Sequence, residues 1–111
     1  RHDMARTFLH DGMIYSSKAE LRADLILEGK KETQKAIQAA GMQAEYDAAR
    51  ERLAAVVAEQ RAALAEYDRT HLPGHRHERV TIIQQYQARL TESSQALAAI
   101  CDKAKNYKEE T

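Results

Sequence analysis

Proline, glycine and aromatic residues are scarce in this chain, and each scarcity excludes something. Of 111 residues, one is proline, four are glycine, one is phenylalanine and none is tryptophan. Pro73 aside, no residue forces a helix to stop, so long helices are permitted on both sides of it. There is no Gly-rich phosphate loop, no nucleophile elbow and no Cys-x-x-Cys pair. The single cysteine, Cys101, cannot form an internal disulfide, and beside Ile100 it reads as a small packed hydrophobe rather than a reactive thiol. An excess of one charge is missing too. Lys+Arg 17 match Asp+Glu 17, which leaves no bulk field to attract nucleic acid or an anionic membrane. No apolar run is long enough to span a bilayer and no basic-then-apolar leader opens the chain, so the expectation is a cytoplasmic protein, with export by a leaderless route left open. Arg1 to Asp3 are given no structural weight.

What the chain does have is helical periodicity. Upstream of Pro73-Gly74, the residues Met42, Tyr46, Ala49, Leu53, Val56, Gln60, Ala63 and Tyr67 follow one another at spacings of three and four. Downstream, Ile83, Tyr86, Leu90, Ser93, Leu97, Ile100, Ala104 and Tyr107 do the same. Such spacing keeps each set on one helical face, the pattern by which two helices zip together. The expected architecture is all-α: one domain over 1–111, built as a long antiparallel, coiled-coil-like helical hairpin with a helix over 31–71 and another over 75–108. Folding about Pro73 would set Leu64 near Ile83, Gln60 near Tyr86, Val57 near Leu90 and Tyr46 near Ile100. Gln60 and Ser93 interrupt the seam; polar residues at such positions cost stability and fix register. The four seam tyrosines read as core with hydroxyls reaching the rim.

Ahead of the hairpin, Ser17-Lys18-Ala19-Glu20 is a capping box, which starts a short helix over 18–28. Leu21, Leu25 and Ile26 give that helix an apolar side. Gly29 followed by Lys30 and Lys31 marks its end, and Gly41 is the place for a bend in the long helix. The first residues carry a β signal: Asp11-Gly12 between two short apolar runs suits a two-residue turn in a small β-hairpin over 4–16. It would pair His10 with Met13, Leu9 with Ile14 and Phe8 with Tyr15. Both faces of that ribbon are apolar and a lone ribbon is marginal in water, so it must dock, either on the helices or on a partner. Phe8, Leu9, Ile14 and Tyr15 are therefore the candidate partner-binding residues, with Phe8 as anchor.

Three histidines, His71, His75 and His77, cluster at the hinge. Imidazoles so close together are candidate ligands for Zn²⁺, Ni²⁺ or Cu²⁺, although Pro73 separates them and Arg76 and Arg79 add positive charge. Paired Glu-x-x-His motifs of a di-iron bundle are missing, and the zinc-protease pattern fails at Thr81. The basic clusters Lys30, Lys31, Lys35 and Arg76, Arg79 are interleaved with acids and make no nucleic-acid stripe. The segment Tyr15 to Ala23 resembles the second helix of ribbon-helix-helix antitoxins, a family that places a strand and a helix ahead of it; only a few residues precede it here, and no family is assigned. No catalytic constellation remains and no cofactor is expected. The sequence thus points to a non-enzymatic helical interaction protein, an adaptor, accessory component or inhibitor that binds a protein partner or its own copies. Two alternatives stand beside it: a metal- or pH-sensing bundle that uses the hinge histidines, and a structural subunit of a secretion or phage assembly.

Overall fold

The computed structural model describes residues 8–10, 13–71 and 76–110, with side chains over 15–71 and 77–107. The Asp11-Gly12 turn, the Pro73-Gly74 hinge, His75 and the side chains of Phe8, Leu9 and Ile14 lie outside the described residues. Two short strands, β1 (Phe8–His10) and β2 (Met13–Tyr15), pair antiparallel with Phe8 opposite Tyr15. Four helices follow among the described residues: α1 (Lys18–Leu27), α2 (Lys31–Ala40), α3 (Gln43–Thr70) and α4 (Arg76–Glu110). The chain is all-α in its body, and among the described residues no helix is long and apolar enough to cross a membrane.

Local chemistry explains each boundary. Ser17 caps α1, its Oγ accepting the Glu20 amide at 3.1 Å. The return half of the capping box is displaced by one residue, because Glu20 Oε1 accepts the amide of Ser16 at 2.8 Å rather than that of Ser17. At the other end Gly29 takes φ 65°, and the Leu27 carbonyl left over by the last turn accepts from Arg50 Nη2 at 2.8 Å.

The helix expected over 31–71 is two helices. Gly41 adopts φ 69°, and the amides of Gly41 and Met42 turn back onto the carbonyls of Gln38 (3.1 Å) and Ile37 (3.0 Å). That is a Schellman ending, and its usual apolar contact is present as Ile37 and Met42, both buried in the same cluster. Closing those two carbonyls terminates α2 outright instead of bending it. The consequence reaches the whole fold: α2 packs on α4, as α1 does, so α4 is covered by three helices rather than by α3 alone.

Helices α3 and α4 run antiparallel, since Arg79 bonds Asp68 at 2.9 and 3.1 Å while Arg89 bonds Glu59 at 2.9 and 3.3 Å, the numbers falling on one helix as they rise on the other. Between them the core takes Leu53, Val56, Val57, Leu90, Leu97 and the fully buried Gln60, with Ser93 also buried. Ile37 from α2 and Ala23 from α1 close it. Tyr107, expected on the seam, is 47% exposed. It lies near the end of a helix that outlasts what covers it. The molecule measures 56 × 27 × 22 Å, an elongated body.

Candidate docking groove

Two shallow hollows adjoin along α4, the first between α1 and α4 and the second continuing to Thr33 of α2 and Tyr46 of α3. The first, about 240 Å³, is floored by Ala19, Ile26 and Ala98 and edged by Arg22, Ser94 and Gln95. The second, about 200 Å³, shares Ile26 and Ala98 and continues past Leu25 and Cys101 to Lys30 and Lys105. The small residues Ala19 and Ala98 stand where larger side chains would have filled the gap. Leu25, 41% exposed, is one of three large hydrophobic side chains among the described residues that remain open to solvent, with Val80 and Tyr107. Cys101 is buried, and burial pushes its thiol pKa up, so it contributes apolar surface rather than a nucleophile.

The rim of this groove is cationic and rich in donors. Arg22, Lys30 and Lys105 are exposed, and none of the three enters an ion pair among the described residues; Asp102 is the one opposing charge along the lining. Elsewhere four arginines are committed: Arg61 to Glu20, Arg69 to Glu66, Arg79 to Asp68 and Arg89 to Glu59. The Ser94 hydroxyl, at the edge of the first hollow, is buried with no hydrogen-bond partner among the described residues. A buried hydroxyl left unpaired carries a desolvation cost.

On the neighbouring side of α1 a polar cluster anchors the strand pair. Tyr15 is buried, and its hydroxyl donates to Asp24 Oδ2 at 2.5 Å; that bond, followed by burial, pushes its pKa up to about 12. Glu20, also buried, accepts from the Ser16 amide and hydroxyl on one oxygen and from Arg61 Nε at 2.7 Å on the other. Tyr15, a candidate for partner contact, is buried with its hydroxyl on Asp24. Phe8, Leu9 and Ile14, the other three candidates, lie outside the described side chains.

Among the described residues no group of three His, Cys, Asp or Glu side chains has a metal-binding arrangement. His71 is exposed and stacks on Tyr67 at 4.0 Å, with Nδ1 at 2.9 Å from Thr70 Oγ1 and 3.1 Å from the Tyr67 carbonyl. His77 is exposed on the first turn of α4, and His75 lies outside the described residues.

The groove itself was missed at the sequence level. Leu25 and Ile26 stood out as the apolar side of α1, but their pairing with Ser94 and Ala98 depends on which helix covers which. The available signal was an apolar pair on α1 wider than one stripe, facing the small residues Ser94, Ala98 and Cys101 on α4. Compared with protein-family models, curated proteins and solved structures, the chain has no significant match.

Proposed function

We propose that this chain is a non-enzymatic helical interaction protein, an adaptor, accessory component or inhibitor working in the cytoplasm, whose docking face is the groove between α1 and α4. In this reading α3 and α4 form a coiled-coil-like hairpin that serves as a stiff spine, and α1 is the element laid on it to make a binding edge. The observation that carries the proposal is the pair of adjoining apolar hollows flanked by the exposed Leu25 and rimmed by unpaired cations. The hollows are shallow and open rather than enclosing, which favours side chains of a macromolecule as occupants. The buried titratable groups support the same reading, since Glu20 and Tyr15 are each held by fold-internal partners rather than aimed into the groove.

The partner is another protein rather than a second copy. A self-complementary contact across this groove would set Arg22, Lys30 and Lys105 against their own counterparts, with Asp102 alone to offset them. Affinity capture with the immobilised chain, followed by purification of the retained protein and titration of the two components, tests this. A stoichiometric complex seen by size exclusion is the expected result. A partnerless chain that turns over a substrate would overturn it.

A further inference from the structure

The chemistry of the groove restricts what kind of protein segment fits it. Along α4 the first hollow is lined from Thr91 to Ala98 and the second from Ala98 to Lys105, so their centres are seven residues apart. At a rise of about 1.5 Å per residue, that is about 10 Å, two turns of helix. A helix laid alongside α4 presents residues i and i+7 on one face at the same separation, which is how amphipathic helices seat their anchors in helical grooves. The rim adds a second restriction. Arg22 offers donors at the first hollow, and Lys30 with Lys105 offers them at the second, against Asp102 alone. Such a rim complements carboxylates and repels ammonium groups.

We propose that the groove between α1 and α4 receives an acidic amphipathic helix of a partner protein, with aliphatic side chains at i and i+7 in the two hollows and carboxylates on the flanks that meet Arg22, Lys30 and Lys105. This rests on the interaction reading above and names its partner's chemistry.

The test is selection from a displayed library of 15-residue helical peptides in which Glu and Lys occur equally at polar positions and Leu and Ser equally at apolar ones. Peptides recovered on the wild-type protein are expected to carry Leu seven apart and a marked excess of Glu. Their affinity is expected to drop at least tenfold on the double variant Arg22→Glu, Lys105→Glu, whose melting temperature stays within a few degrees because both positions are exposed. Replacing every Glu of a recovered peptide by Lys is expected to abolish binding. Recovery with no excess of Glu, or equal binding to the double variant, overturns the proposal. So does decanoate competing for the groove where the peptides do not bind, or a wild-type dimer that the double variant dissociates. If a captured protein partner depends on Leu25 while the selected peptides show no acidic bias, the interaction reading stands and the acidic chemistry falls.

Discussion

Gln60 illustrates how one residue can work against stability inside a well-packed core. It is fully buried, its Nε2 reaches Ser16 Oγ only at 3.4 Å, and its Oε1 has no hydrogen-bond partner among the described residues. A buried amide so poorly paired costs more than an apolar side chain of similar volume. Gln60→Met is therefore expected to raise stability by about 1 kcal/mol in denaturant unfolding, whereas Gln60→Glu lowers it by about 3 kcal/mol by placing an unpaired charge there. Tyr15 makes a second, independent test. Its pKa is raised from 10.0 to about 12, so the neutral phenol is the form the fold favours. The contribution of the Tyr15–Asp24 bond is then complete below pH 10 and is lost as pH climbs towards 12. In an ultraviolet tyrosinate titration Tyr15 should ionise towards pH 12, and Asp24→Asn should bring it back towards the ordinary value of 10.0. Unchanged titration in that variant would mean that the bond to Asp24 is not the cause.

At the scale of the elements, two glycines with nearly the same backbone do different jobs. Gly29 and Gly41 have φ 65° and 69°, a region in which a side chain is strained. A Cβ on Gly41 would meet open space, while one on Gly29 would stand 2.8 Å from Gln34 Nε2 and 3.2 Å from Tyr46 Oη. Those two atoms bond each other at 2.8 Å and tie α2 to α3. Gly41→Ala should thus cost about 1 kcal/mol for the backbone alone. Gly29→Ala should cost distinctly more, because it also displaces the Gln34–Tyr46 bond, and equal losses in thermal melts would contradict the packing around Gly29. These elements show what was legible in the sequence. The three-and-four spacing picked Met42, Tyr46, Ala49, Leu53, Val56 and Gln60, all of which are buried, and Ser17 and Gly29 marked the ends of α1. It could not say that Gly41 would finish a helix rather than bend it, since that depends on Ile37 and Met42 reaching a common core. Nor did it place the groove. Periodicity tells which face of a helix is apolar, and only the tertiary arrangement tells whether a neighbour covers that face completely, as at Leu97, or leaves it half open, as at Leu25.

The whole molecule is an elongated body with a radius of gyration of 16.6 Å, against about 13 Å for a compact chain of this length. Its internal ion pairs, Arg79–Asp68 and Arg89–Glu59, lie on the surface and contribute little to stability, but they hold α3 and α4 in register. Their arginines are spent within the fold, whereas Arg22, Lys30 and Lys105 around the α1–α4 groove enter no ion pair among the described residues. Of the exposed apolar side chains, Leu25 borders that groove and Val80 lies on α4 away from its lining, at nearly equal exposure of 41% and 46%. The central claim is that binding belongs to the groove and not to exposed apolar surface in general. Titration of the purified partner into Leu25→Glu and Val80→Glu tests it most directly, because both changes add the same charge at similarly exposed positions. Affinity is expected to fall at least tenfold for Leu25→Glu and to stay within twofold for Val80→Glu, with both variants as helical as the wild type; equal affinities for the two, or a greater loss at Val80, would contradict the account.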